Sequence, residues 1–349
     1  MNNIPQIGQG IGDYKWDDSN VKLIREAALN GFNLIDTAES YDKGNSEKIV
    51  AKSISGIRDQ VLISTKFSPE NNSFNGVLNS IEKSLERLKT NYIDIYQLHW
   101  PNPEIPINET VRALLHLKKA KKIRFVGFGN LSLNELKIVN KLIQVDFFQV
   151  EYNLFDRYIE PAIYDFCLAN NILILGYSPL DQGYIANGKT KTYLNEISRK
   201  YNKTPAQIAM KWLTLKSNII PIPKFTKYEH YKELTEMDFY LEKKDIDYLE
   251  KNKTSIEYIP PSDISVINEG QNNRLTYTNI SEARSNKLNF IPSPIQLAKT
   301  IKNDCNIKPI RLVKNAKLKY NLIEGRMRYW GWVLAFGDQR PIPSYIRRI

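Results

Sequence analysis

Residues 61–99 read VLISTKFSPENNSFNGVLNSIEKSLERLKTNYIDIYQLH. The stretch opens on a β-branched run, Val61 to Phe67. It then passes through Asn75 to Lys89, where Leu78, Ile81, Leu85 and Leu88 recur at helix spacing, and closes on a second apolar run, Ile93 to His99. A short apolar run, an amphipathic helix and another short run predict two parallel strands joined by a crossover helix. Outward from this unit the same alternation continues. Further strands are expected at Ile7 to Ile11, Leu34 to Ala38, Phe125 to Phe128, Phe147 to Glu151, Ile172 to Tyr177 and Ile219 to Ile222. Helical patterns lie at Leu133 to Leu142, at Thr204 to Leu215, where Thr204-Pro205 supplies an N-cap and a first-turn proline, and at Lys227 to Glu236. Eight strands with interleaved helices over about 250 residues predict an α/β fold, the (β/α)8 TIM barrel. A doubly wound open sheet is the structural alternative, but no Gly-x-Gly-x-x-Gly turn opens a helix after the first strand.

The 349 residues exceed one such barrel. After Lys253 the periodicity stops. Residues 253–289, with Pro260-Pro261 and Gln271-Asn272-Asn273, read as a linker or extended arm, and 290–349 as a small α+β domain. In that domain the pattern predicts a helix at Pro294 to Lys302, strands at Pro309 to Val313 and Tyr320 to Ile323, a helix at Met327 to Phe336 and a strand at Ile342 to Ile346. The net charge of +11 is concentrated there: residues 1–252 carry a net of +2 and residues 290–349 a net of +9. An anionic partner is thus expected for the tail, against the simpler reading of a solvated basic surface. The 42% hydrophobic and 25% charged fractions are those of a soluble globular chain, and no apolar run could cross a bilayer. The N-terminal residues show no charged segment followed by an apolar one, so a cytoplasmic protein is expected. Cys167 and Cys305 lie in no zinc spacing and read as reduced, packed thiols, with no metal site expected.

In a barrel of this class reactive residues sit at the C-terminal ends of the strands. Asp36 lies near the end of the second expected strand with Tyr41 just beyond it, Lys66 ends the third, and His99 ends the fourth. Singly each would read as a cap, a rim residue or a buried histidine. Together they suit reduction of a carbonyl, in which hydride delivered to carbon leaves negative charge on oxygen that a positioned acid must meet. Tyr41 is the candidate general acid. Lys66 would lower the pKa of its phenol, Asp36 would orient the lysine, and His99 would position the substrate oxygen.

These residues carry a resemblance to the aldo-keto reductases over residues 1–252. The matching text is Ile35-Asp36-Thr37-Ala38-Glu39-Ser40-Tyr41, the strand end at Lys66, Asp94-Ile95-Tyr96-Gln97-Leu98-His99-Trp100, and Ile220-Pro221-Ile222-Pro223-Lys224. The resemblance implies NAD(P)H-dependent reduction of a small aldehyde or ketone, with NADP expected over NAD, and Asp36, Tyr41, Lys66 and His99 as the catalytic group. It further implies that Asn130 and Gln149 hold the nicotinamide carboxamide and that Tyr177 stacks on the ring. Ser178, Leu180 and Gly183 would lie in the loop over the pyrophosphate, and Lys224, Thr226 and His230 at the adenosine end. The chain departs from the family pattern at four of these places. Gly129 replaces a serine, Phe225 a phosphate-binding serine, His230 an arginine and Leu234 an adenine-contacting asparagine.

Residues 290–349 resemble the ParB N-terminal and sulfiredoxin-like domains. The match lies in Ile307-Lys308-Pro309-Ile310-Arg311-Leu312, Tyr320-Asn321-Leu322-Ile323-Glu324-Gly325-Arg326-Met327-Arg328, Gly337 and Pro341-Ile342-Pro343. That implies a nucleotide or other phosphate held at Gly325, Arg326 and Arg328, without sequence-specific DNA binding, since no helix-turn-helix follows. The alternative function is a nicotinamide-sensing barrel that regulates this nucleotide-binding tail.

Overall fold

The computed structural model describes residues 4–12, 17–187, 192–266, 276–303, 307–315 and 319–347. Cys305 lies outside them. The chain divides into two compact units, one of Met1–Pro101 with Pro106–Lys253, the other built on Thr254–Ile349.

In the first unit eight strands pair in chain order, all parallel: β1 (Gln9–Gly10), β2 (Leu34–Asp36), β3 (Leu62–Phe67), β4 (Ile93–Leu98), β5 (Ile123–Gly129), β6 (Phe147–Glu151), β7 (Leu173–Tyr177) and β8 (Ile219–Pro221). The connecting helices are α1 (Asp18–Leu29), α2 (Asn45–Ser53), α3 (Phe74–Leu88), α4 (Ile107–Lys119), α5 (Leu133–Leu142), α6 (Ala162–Ala169), then α7 (Thr192–Tyr201) and α8 (Pro205–Thr214) in tandem. α9 (Tyr228–Thr235) and α10 (Lys243–Lys251) follow β8. Helix α3 shows how local sequence sets an element. Ser73 caps it by accepting from the Gly76 amide, Val77, Ile81, Leu85 and Leu88 are buried, and Lys89 ends it in the left-handed region at φ 51°.

The seam between β8 and β1 explains why the first strand is shorter than its sequence pattern. Gly8 donates to the Pro221 carbonyl at 3.0 Å and Gly10 to that of Pro223 at 2.8 Å. The returning donors of a parallel ladder would be the amides of residues 221 and 223, and proline has none. The barrel therefore closes through hydrogen bonds running one way only. Inside it, Leu34, Ile95, Phe147, Leu175, Ile220 and Ile222 form an apolar layer, while the main core lies between strands and helices.

The second unit is a mixed sheet with β9 (Glu257–Ile259) and β10 (Ile264–Ser265) at its edges and β11 (Ile310–Lys314), β12 (Tyr320–Glu324) and β13 (Ile342–Arg347) between them, in the order β10-β12-β11-β13-β9. Its helices are α11 (Ile280–Arg284), α12 (Pro294–Asn303) and α13 (Arg326–Phe336). A Cβ on Gly331 would stand 2.9 Å from Leu297 Cβ, so this glycine lets α13 lie close on α12. The linker or arm expected at 253–289 is corrected here. Its described residues supply both edge strands, and Ile259, Ile264, Tyr277 and Ala283 enter the unit's core. The Tyr277 carbonyl also accepts from Trp330 Nε1 at 3.0 Å. Strands of two or three residues are too short to show a period of two, and without them a piece of about 60 residues is at the lower limit of a self-sufficient core.

Candidate active site

Alternation along parallel strands fixes which side chains meet inside the barrel. Asp36 lies across from Ser64, Lys66 from Gln97, Gln97 from Gly127, and Gly129 from Gln149. Above the apolar layer these positions form a buried polar one of Asp36, Ser64, Lys66, Gln97 and Gln149. The two glycines of β5 make room for it. A Cβ at Gly127 would lie 2.7 Å from Gln97 Cβ, and one at Gly129 would lie 2.6 Å from the His99 carbonyl oxygen. The departure from serine at Gly129 thus has a steric reason.

The structure brings all four residues of the expected catalytic group together. Lys66 Nζ is 2.7 Å from Asp36 Oδ2 and donates to the Thr37 carbonyl at 2.6 Å, with both charged side chains nearly sealed from solvent. The same ammonium stands 5.0 Å from the centre of the Tyr41 ring. Burial works against this charge, but Asp36 and Tyr41 outweigh it and hold the lysine above its ordinary range. Tyr41 opens a tight turn after β2, Tyr41–Gly44, in which Asp42 and Lys43 have positive φ. From α2, Glu47 ties side chains of β3 and α3 together, accepting from Thr65 Oγ1 at 2.7 Å and from Arg87 Nε at 2.5 Å. The rings of Tyr41 and His99 meet edge to face at 5.6 Å. His99 is buried, and burial, with the Lys66 ammonium adding to it, holds its imidazole well below the usual histidine range. A neutral imidazole beside a phenol can share a hydrogen bond with an incoming oxygen without adding charge.

Of the residues expected to hold a nicotinamide, Asn130 and Tyr177 are joined. Asn130 Nδ2 donates to the His99 carbonyl at 3.0 Å and its Oδ1 accepts from the Tyr177 hydroxyl at 3.0 Å. Gln149 instead reaches inward, its Nε2 donating to Asp36 Oδ1 at 2.8 Å. Ser178, Leu180 and Gly183 lie in the turn after β7, where Gly183 has φ 89° and donates to the Leu180 carbonyl at 3.0 Å. After β8, Thr226 Oγ1 lies 3.2 Å from His230 Nδ1, while Lys224 Nζ donates to the Gly12 carbonyl. Phe225 and Leu234 are buried, Phe225 packing edge to face on Phe32 at 5.2 Å. Both serve the core where a family member would offer a polar group.

Sequence reasoning missed Ser64 and Gln97 as members of the site. The signal was available: Ser64 is two residues before Lys66 and Gln97 two before His99, hence on the same strand faces. It also missed an acidic group of Glu151, Asp156 and Asp181, all buried, whose carboxylate oxygens lie within 4.8 Å of one another.

In the second unit, Gly325 precedes α13 at φ 95°, and a Cβ there would strike Ile310 Cγ2 at 2.7 Å. Arg328 donates to the carbonyls of Lys308 and Pro309, both at 2.7 Å, and to Glu324 Oε1 at 3.2 Å. Lys308 and the buried Arg311 pair with the same Glu324. Of the two cations expected to face a phosphate, Arg328 is thus taken up by the chain's own carboxylate. Arg326 lies at the first turn of α13 and takes no part in these bonds.

A (β/α)8 barrel that assembles a phenol, an ammonium, a carboxylate and an imidazole at one rim defines an oxidoreductase acting on carbonyl groups. Residues 6–253 match the model of the Aldo/keto reductase family, and the chain belongs to that family. Methylglyoxal reductase YeaE of Escherichia coli (strain K12) is 34% identical over 240 residues, which cover 66% of this chain and 84% of that protein. The NADH-specific methylglyoxal reductase of the same organism is 34% identical over 196 residues, 50% of this chain and 60% of that one. An aldo/keto reductase from Klebsiella pneumoniae, solved in complex with NADP and acetate, superposes with a TM-score of 0.66 at 28% identity, covering 71% of this chain and 91% of that chain. The chain is an NAD(P)-dependent oxidoreductase of this kind. The family match ends at residue 253, and the ParB and sulfiredoxin-like resemblance of residues 290–349 finds no support in these comparisons. Among the described residues no helix is long and apolar enough to cross a membrane.

Proposed function

We propose that the barrel reduces a small aldehyde or ketone with Tyr41 as the general acid. The observation that carries this reading is the meeting of Tyr41, Lys66 and His99 at one rim, with the Lys66 ammonium 5.0 Å from the phenol ring and locked onto Asp36. A nicotinamide cofactor would supply the hydride. Asn130, Gln149 and Tyr177 suit it, since two amides and an aromatic ring on adjacent strands offer donors, acceptors and a stacking face. As charge develops on the carbonyl oxygen, Tyr41 gives up its proton while the lysine stabilises the phenolate left behind. His99, uncharged, orients the oxygen toward that proton. Small carbonyls such as methylglyoxal, the substrate in the name of two relatives, are the first to test.

For the adenosine end we read Lys224, Thr226 and His230 as the contacts, with NADPH favoured over NADH through the permanent charge of Lys224. The preference is expected to be small, because Phe225 and Leu234 face the core. The second reading, a nicotinamide sensor regulating a nucleotide-binding tail, needs an anion at Gly325, Arg326 and Arg328. Such an anion would have to displace Glu324 from Arg328, which is further tied to two backbone carbonyls, and we therefore read that cluster as structural.

One experiment tests the assignment. NADPH and NADH are titrated by tryptophan fluorescence into the wild type and Tyr41→Phe, and turnover is followed with methylglyoxal. The variant should bind cofactor normally and lose about 100-fold or more in kcat. Unchanged turnover would sink Tyr41 as the acid.

A further inference from the structure

Asp36 Oδ1 accepts three hydrogen bonds, from Ser64 Oγ at 2.7 Å, Gln149 Nε2 at 2.8 Å and Gln97 Nε2 at 3.2 Å, while Oδ2 faces Lys66 Nζ at 2.7 Å. Gln97 Nε2 also lies 2.7 Å from Ser64 Oγ. The direction of this chain follows from its chemistry. An ionised carboxylate only accepts, so Ser64 gives its one proton to Asp36 and must itself receive from Gln97, whose amide therefore turns both N–H bonds toward Ser64 and Asp36. Gln97 Oε1 is left buried without a partner. A buried amide oxygen in that state is unfavourable, and buried polar groups are ordinarily paired. The amide is thus held for what its donor end does for Asp36.

We propose that Ser64 and Gln97 are positioning residues: they hold the Asp36 carboxylate with Oδ2 on Lys66, and through that pair they set how readily Tyr41 gives up its proton. This rests on the reading of Tyr41 as the acid. A buried ammonium–carboxylate pair keeps its geometry where the carboxylate's remaining lone pairs are met by donors. Without Ser64 and Gln97 the Asp36 carboxylate loses two of the donors that aim Oδ2 at Lys66. The positive charge is then no longer held in place beside the phenol.

The titratable groups that interact with this lysine are Asp36 from β2, Tyr41 from the turn after it and His99 from the end of β4. From β6 and the end of β5 come the amides of Gln149 and Asn130, and from β7 the phenol of Tyr177, bonded to Asn130. Of these only His99 carries a shift that brings charge near neutral pH into question, and it is held neutral. Gln149 is excluded as a test position because it also belongs to the expected cofactor set.

The test uses the full chain carrying Ser64→Ala or Gln97→Met, each close to the volume it replaces. The readouts are the pH profile of kcat/KM for carbonyl reduction and the NADPH dissociation constant from tryptophan fluorescence. The alkaline limb, where Tyr41 loses its proton, should move up by about one pH unit in both variants as the ammonium is no longer held beside the phenol. Cofactor affinity should stay within about twofold. A limb that stays in place in both, or one that moves only together with an equal loss of NADPH binding, overturns the proposal. Tyr41→Phe is run alongside. If it turns over normally, the acid assignment fails and carries this proposal with it; if it is inactive while both variants keep the wild-type limb, the positioning role alone fails.

Discussion

Each unit of this chain sets a carboxylate against cations, and the two clusters are built differently. In the barrel Asp36 meets one cation, Lys66, and its other oxygen is satisfied by neutral donors. In the second unit Glu324 meets three cations, Lys308, Arg311 and Arg328, and Arg328 is further tied to two backbone carbonyls. The first arrangement leaves the lysine's charge pointed at a phenol on the rim, where chemistry can use it. The second consumes its charges internally. A buried pair can thus be reactive or structural with the same residue types, and the difference lies in whether a charged face is left toward something that can titrate.

The comparison breaks most visibly if Glu324 is removed. Glu324→Ala takes away the carboxylate shared by Lys308, Arg311 and Arg328, of which Arg311 is 2% exposed in its side chain. Removing one partner of a buried ion pair costs about 3–5 kcal/mol. Chemical denaturation followed by hydrogen exchange should show the peptides of β11, β12 and α13 losing protection while the barrel's peptides and its turnover are kept. A variant as stable as the wild type, with new affinity for inorganic phosphate, would instead make Glu324 a gate over an anion site.

On the barrel side the corresponding change is Gly129→Ser, which restores the family's hydroxyl. Its Cβ would stand 2.6 Å from the His99 carbonyl oxygen and 2.9 Å from that of Leu98, both backbone atoms that cannot swing away. Overpacking of this sort costs about 1–3 kcal/mol. The strain falls where Asn130 bonds His99, so NADPH affinity should drop together with the urea midpoint. Tighter cofactor binding with no loss of stability would show that β5 yields more than its packing indicates.

How much of this was legible beforehand follows the same division. Barrel strands announce themselves because they fall in apolar, β-branched runs that alternate with amphipathic helices, and helix α5 matches its expected bounds of Leu133–Leu142. The proposed catalytic group, which the structure brings together, was legible because strand ends are the reactive rim of this fold. Ser64 and Gln97 were not, since a serine and a glutamine inside a strand look ordinary until register places them against Asp36. In the second unit β11, β12 and β13 were read closely, but edge strands of two or three residues hid within a Ser- and Pro-rich stretch. Arg328 was read as a ligand-facing cation for a related reason. A sequence shows an arginine's charge but not the carbonyls of Lys308 and Pro309 that take up its donors.

The smallest expected effect separates the units by pH. His99 is buried and neutral, so the folded barrel takes no proton there, while the unfolded chain does so below about pH 6.5. The unfolded state then binds more protons, and barrel stability is present above that pH and lost as pH falls through it, by at most about 1.4 kcal/mol per unit. The second unit contains no histidine. Its corresponding group is Glu282, exposed, whose carboxyl is lowered to about 2 by Lys287 and by the backbone and hydroxyl donors of Thr278. That contribution is present above the ordinary glutamate range near 4.5 and lost as pH falls from there toward about 2. Urea titrations between pH 7 and 5.5, followed on peptides from each unit, should therefore lower the barrel's midpoint and leave the second unit's in place. His99→Gln should flatten the barrel's slope by one proton. If the slope survives that substitution, the imidazole is already protonated in the folded state, and its role at the rim becomes that of a charged donor.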